Sequence, residues 1–228
     1  MPAGEDASDP AVAIRWPSPQ PWPPHRPPLR LGVMASGEGS NFEALVAACR
    51  DGRLRATVAC LLVNRPDCGA LRRAERLGVP CRVVDHRLHP SRESLDGELI
   101  AHLRAAQVDL VVMAGWMRIV TPVLIGAFAE RIVNLHPSLL PSFRGMDAVG
   151  QALAAGVRLA GCTAHLVVPE VDAGPILAQA AVPVLEGDSH ASLTARIQAQ
   201  EHRILPVGVA VAAQRLAAGR PEAQGNQG

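Results

Sequence analysis

Leu29-Arg30-Leu31-Gly32-Val33-Met34-Ala35-Ser36-Gly37-Glu38-Gly39-Ser40-Asn41 sets the pattern for the chain. The mostly apolar run 29–35 reads as a buried strand. Two glycines then let the backbone turn, and residues 41–49 begin a helix. The same unit recurs downstream, with strands over 57–64, 79–84 and 110–114 and helices over 70–77 and 91–107. In the second of these helices Ser91 is placed to cap, and Leu95, Leu99 and Leu103 repeat at helical spacing. The run 110–114 is apolar throughout, as strands buried on both faces are. A helix near 122–129 leads to a strand over 132–136. The alternation predicts an α/β protein with a doubly wound, mostly parallel sheet of Rossmann-like type. Past Pro141 the rhythm loosens: a helix over 149–155, strands over 161–168 and 178–184, and a long helix over 189–218 interrupted or bent at Pro206. Expected boundaries are a Pro-rich disordered lead (1–28), one domain (29–218) with a less regular C-terminal part, and a flexible tail (219–228).

Composition narrows the function classes. The 228 residues carry a net charge of +1, which gives no electrostatic reason to expect nucleic acid or a membrane surface as partner. Five cysteines, without CxxC spacing, point to reduced thiols rather than a disulfide frame or a zinc site. No apolar run approaches a membrane span and no signal-peptide core is visible, so a cytoplasmic location is expected.

The chemistry is expected in Ile132-Val133-Asn134-Leu135-His136-Pro137-Ser138-Leu139-Leu140-Pro141. In a strand, positions 134 and 136 share a face. That pairs an amide donor with an imidazole able to move a proton near neutral pH. Ser36–Asn41 is a strand-to-helix turn suited to a phosphate, although it is neither GxGxxG nor a P-loop. By itself it is equally a tight turn capped by Ser40 or Asn41. Gly115-Trp116-Met117-Arg118-Ile119 follows a strand at its carboxyl end, where open α/β sheets bind ligands. Asp172, ahead of a Gly-Pro turn, is either an Asx-turn residue or the carboxylate that orients His136. His165 reads as a core histidine at least as readily as a catalytic one, and Glu201-His202 as part of an exposed helix face. No GxSxG elbow and no HExxH cluster is present, which disfavours serine hydrolysis and metal catalysis. The residues alone indicate a transferase or hydrolase acting on a small phosphorylated substrate.

Taken together, Ser36-Gly37-x-Gly39-Ser40-Asn41, Ser91-Arg92-Glu93, Gly115-x-Met117-Arg118-Ile119, Asn134-x-His136-Pro137-Ser138-Leu139-Leu140-Pro141, Asp172-x-Gly174-Pro175 and Gln198-x-Gln200-Glu201-His202 resemble the phosphoribosylglycinamide formyltransferases over about residues 29–217. The resemblance implies formyl transfer from 10-formyltetrahydrofolate, a co-substrate, to the amine of glycinamide ribonucleotide in purine synthesis. It implies Asn134, His136 and Asp172 as the catalytic trio. For the ribonucleotide it implies Gly39, Ser40, Asn41, Gln198, Ala199, Gln200 and Glu201. For the folate it implies Arg92, Met117, Arg118, Ile119, Val120 and Asn134, with Val168, Pro169, Glu170, Val171 and Asp172 reading the pterin. No metal is expected, the partners are small molecules, and the chain is expected to be a monomer or homodimer. One departure stands out: many members carry a Pro-Gly turn after the Leu-Pro, where this chain has Ser142-Phe143-Arg144-Gly145-Met146-Asp147, and no role is carried onto 142–147. The nearest alternative is formyltetrahydrofolate deformylase, a hydrolase sharing the trio but usually preceded by a regulatory domain. Methionyl-tRNA formyltransferase normally adds a C-terminal RNA-binding domain. A silent folate- or nucleotide-binding module would be expected to have lost one of the trio.

Overall fold

The computed structural model describes residues 14–17 and 27–219. Most of the Pro-rich lead and the tail after residue 219 therefore lie outside the described residues. Eight strands form one sheet: β1 (Ile14–Trp16), β2 (Leu29–Ala35), β3 (Ala56–Val63), β4 (Cys81–Val83), β5 (Leu110–Met113), β6 (Ile132–His136), β7 (Leu159–Leu166) and β8 (Ile176–Pro183). Their order across the sheet is β1-β8-β7-β6-β5-β2-β3-β4. Strands β4, β3, β2, β5 and β6 run parallel, and β7, β8 and β1 continue the sheet antiparallel.

The helices are α1 (Ser40–Arg50), α2 (Gly69–Leu77), α3 (Arg92–Ala105), α4 (Pro122–Ala127), α5 (Ala148–Ala154) and α6 (His190–Gly219). One apolar core joins one face of the sheet to α1, α2, α5 and α6 through Phe42, Leu45, Ala70, Val149, Leu193 and Leu205. A second joins the other face to α3 and α4 through Leu95, Leu99, Leu103 and Leu124. Helices on both faces explain why β5 is buried along its whole length and reads as a continuous apolar run.

Two expectations change. Helix α6 is not interrupted and carries Pro206 inside it. Proline removes one helical N–H, but Leu205 and Val209 on either side are fully buried. Burial of such side chains stabilises by roughly 1.5–3 kcal/mol each, enough to offset the missing bond. Gly208 allows the close packing, since a Cβ there would stand 2.5 Å from Ala164 Cβ on β7. The second change is in the lead, where residues 14–16 form an exposed edge strand on β8 (Arg15 opposite Ala180). A strand at an edge needs only one partner and no core side chains, so its Pro-rich surroundings do not forbid it.

The chain runs outward from β2 to β3 and β4, then returns to place β5 on the other side of β2. That reversal is the switch point at which α/β sheets open a crevice beyond the strand ends. The turn after β2, the loop after β5 and the end of β6 all lie at this edge.

Candidate active site

The β2–α1 turn brings Gly39 to φ +76°, with no side chain capping the helix. A Cβ on residue 39 would lie 2.7 Å from Ala70 Cβ, so the turn and the start of α2 fit together only with glycine. The expectation that Ser40 or Asn41 caps α1 is therefore replaced. Ser40 Oγ accepts from Gln198 Nε2 at 2.9 Å, and Asn41 Nδ2 donates to Glu201 Oε2 at 2.8 Å. Helix α6 thus closes over the turn, and among the described residues the first amides of α1 keep no side-chain partner.

Glu201 is buried, which corrects the exposed-face reading of Glu201-His202. Burial pushes its carboxyl upward, and the hydrogen bond from Asn41 only partly opposes this. His202 is half-buried, and its Nε2 has no hydrogen-bond partner among the described residues. Gln200 is also buried and accepts from Arg15 of the edge strand at 3.3 Å. Ala199 is exposed between them.

The loop after β5 is fastened to the same turn, since Met117 N donates to Ser36 Oγ at 2.9 Å and Ser36 N to the Gly115 carbonyl at 3.0 Å. Met117 and Ile119 are exposed, and Val120 is buried. Arg118 has a buried Nε without a hydrogen-bond partner among the described residues. The loop's far end is tied to α3, because Thr121 N donates to Asp96 Oδ2 at 2.6 Å. Arg92, one turn before Asp96 on the same helix face, is exposed near that tie.

The end of β6 gathers the remaining groups. His136 Nδ1 lies 3.4 Å from Asp172 Oδ2, and both side chains are under a tenth exposed. His136 Nε2 lies 2.8 Å from the carbonyl oxygen of Phe143. Carbonyl and carboxylate only accept, so the doubly protonated ring satisfies both, whereas a neutral imidazole leaves one unmet. Asp172 has φ +51° and accepts from Gly145 N at 2.9 Å, so it reaches across to residues 142–147 rather than serving a local Asx turn.

Burial pushes the Asp172 carboxyl up, but the His165 ring, the Gly145 amide and the His136 ring together hold it below its ordinary value. Of these the Gly145 amide is the one at hydrogen-bond distance among the described residues, since His165 Nε2 stands 3.6 Å from Asp172 Oδ1, beyond that range. Val168, Pro169, Glu170 and Val171 lie on the way to Asp172, from half-buried to exposed. Glu170 Oε1 accepts from Arg144 at 2.9 Å, so the unusual 142–147 segment is latched to that loop.

Thr163 escaped the sequence reading, and His165, open there between core and catalysis, stands beside the trio. Thr163 opposes His136 on β7, and its buried hydroxyl accepts from Leu140 N (3.1 Å) and donates to the Ser138 carbonyl (2.7 Å), fixing the wall beside His136. His165 opposes Asn134 and meets its amide at 3.1 Å. The alternation Thr163-x-His165 mirrors Asn134-x-His136, but only the antiparallel register gives that likeness meaning. Among the described residues no group of three or more His, Cys, Asp or Glu is arranged to hold a metal ion, and no helix is long and apolar enough to cross a membrane.

The family model described as formyl transferase matches residues 29–209. The phosphoribosylglycinamide formyltransferase of Escherichia coli (strain K12) is 40% identical over 179 residues, covering 78% of this chain and 84% of that protein. The trifunctional purine biosynthetic protein adenosine-3 of Drosophila melanogaster is 42% identical over 195 residues, and this chain spans only 14% of its length. Among solved structures, glycinamide ribonucleotide transformylase 1 from Symbiobacterium toebii superposes with a TM-score of 0.81 at 48% identity, covering 82% of this chain and 89% of that one.

Proposed function

The chain belongs to the formyl transferase family, among the phosphoribosylglycinamide formyltransferases, and from that premise we propose that Asn134, His136 and Asp172 carry the formyl group from 10-formyltetrahydrofolate to the amine of glycinamide ribonucleotide. The observation that carries this assignment is His136 held between Asp172 and a carbonyl, at the end of the strand that also presents Asn134.

The amine nitrogen attacks the formyl carbon and builds a tetrahedral centre whose oxygen takes the negative charge. One N–H of Asn134 and the Nε2–H of His136 donate to that oxygen. Removing a donor of this kind costs about 2.7–4 kcal/mol. The C–N bond to the folate then breaks, the amine loses a proton and the departing folate nitrogen gains one. His136, paired with Asp172, is placed to deliver it. The Phe143 carbonyl occupies the position on Nε2 that the oxyanion takes in this reaction. Residues 142–147 therefore exchange their bond to His136 for the substrate's.

For the substrates, the uncapped amides of α1 with Ser40 and Asn41 receive the phosphate. Gln198, Ala199, Gln200 and Glu201 flank the rest of the ribonucleotide. Arg92, Met117, Arg118, Ile119 and Val120 line the folate on one side and Val168, Pro169, Glu170 and Val171 on the other. His136→Ala tests the assignment: the variant should still fold, with a lower unfolding temperature for want of the Asp172 pair, and lose turnover by at least about 10²-fold. Near-normal formyl transfer by a folded variant refutes it.

A further inference from the structure

The chemistry above leaves His165 idle, although its ring lies between Asn134 and Asp172. Its side chain is 3% exposed, and on β7 it faces Asn134 of β6 in the antiparallel register. Its Nδ1 lies 2.9 Å from the Leu166 carbonyl oxygen, and its Nε2 lies 3.1 Å from Asn134 Nδ2. The carbonyl can only accept, so Nδ1 carries the ring's hydrogen. The amide nitrogen can only donate, so Nε2 presents a lone pair. The neutral Nδ1–H tautomer meets both partners. This is the opposite of His136, where both ring nitrogens face acceptors.

The consequence falls on Asn134. An amide's two ends have nearly the same shape, and only hydrogen-bond partners distinguish them. The Asn134 side chain makes no other hydrogen bond among the described residues. The structure turns the nitrogen end toward the ring, and a lone pair at Nε2 holds it there, because the oxygen end would set two lone pairs together. We propose that His165 is a positioning residue for formyl transfer: its Nε2 holds one N–H of the Asn134 amide and so fixes the direction of the other, the one offered to the oxyanion. This rests on the reading of Asn134 as an oxyanion donor. The titratable groups around the ring are Asp172 at 3.6 Å and, beyond it, His136.

A buried histidine kept only for packing would need none of this, and the two roles separate in a double-mutant cycle on the full chain. The variants are Asn134→Ala, His165→Asn, His165→Gln and Asn134→Ala with His165→Asn, each measured for kcat, for KM of both substrates and for thermal unfolding. Asn134→Ala should lower kcat by about 10²–10³-fold. His165→Asn keeps a donor near Leu166 but offers Asn134 nothing, and should lower kcat on the order of 10-fold or more with both KM values unchanged. His165→Gln puts an amide oxygen near the place of Nε2 and should restore most of kcat. In the Asn134→Ala background, His165→Asn should add almost no further loss.

Multiplying losses, or a Gln variant as impaired as the Asn variant, overturn the proposal while leaving the role of Asn134 intact. An unchanged kcat in Asn134→Ala removes the oxyanion role itself, and this proposal with it. Should the Asn variant not fold, 15N shifts of the His165 ring in the unaltered protein decide. A bare Nε2 near neutral pH supports the proposal, and a protonated one overturns it.

Discussion

Replacing Asp172 by Asn isolates the charge of the trio from its shape. The amide keeps the volume, and its oxygen can still accept the Gly145 N–H that the carboxylate accepts at 2.9 Å. What is lost is a negative charge 3.4 Å from His136 Nδ1. At an effective dielectric constant near 20, a unit pair at that separation is worth roughly 5 kcal/mol before solvent is counted. The two side chains are 7% and 9% exposed, so screening is partial, and about 2–3 kcal/mol is a reasonable remainder. If that remainder holds the imidazolium in the transition state, kcat falls by about 30- to 160-fold. The groups proposed to hold the ribonucleotide, Ser40, Asn41 and α6, are untouched, so its KM should stay constant.

Stability follows with a definite sign. A carboxyl held below its ordinary value of 3.8 stabilises the fold fully above that pH, and the contribution fades as pH falls below it. The wild type should therefore be the more stable protein near neutral pH, and the difference should close below about pH 4. Steady-state release of tetrahydrofolate, with thermal unfolding across pH, measures both effects. A kcat within twofold of wild type, or a loss confined to KM, refutes the reasoning.

Two further changes probe the ribonucleotide side. Burial raises the Glu201 carboxyl above its ordinary 4.5, so the folded state loses stability as pH rises through and beyond that value. Glu201→Gln should then unfold at a higher temperature near neutral pH, by about 2–4 °C for each 1 kcal/mol recovered, with the gain vanishing below about pH 4.5 and the ribonucleotide KM rising. A lower unfolding temperature at neutral pH contradicts this. Gly39→Ala forces a side chain into φ +76° and against Ala70, which should cost about 1–3 kcal/mol in denaturant unfolding and weaken ribonucleotide binding. A stability within 0.5 kcal/mol of wild type, about the effect of an ordinary surface change, speaks against the turn as described.

The first half of the fold was legible because its signals are local. The apolar run Leu29–Ala35 occupies its expected bounds, and Ser91 caps α3 by accepting from Ser94 N, as its position before the leucine repeat implied. The antiparallel half was less legible. Strands β6 and β7 are separated by a loop and α5, and nothing near Asn134 in sequence says that His165 or Thr163 will stand opposite. Glu201 was misread for a related reason. On a helix of 30 residues a carboxylate looks solvated until α1 is packed on that face and Asn41 is found bonded to it. The departure at 142–147 was visible as a departure. Its consequence, the Phe143 carbonyl on His136 Nε2, depends on where the loop folds, which residue types alone do not give.

The central claim is that this site moves a formyl group to an amine rather than to water. Mixing the full chain with 10-formyltetrahydrofolate, with and without glycinamide ribonucleotide, and following tetrahydrofolate release tests it directly. Release that requires the ribonucleotide, with one formylated ribonucleotide formed per folate released, is the predicted result. Release at the same rate in its absence contradicts the account and makes the site a hydrolase.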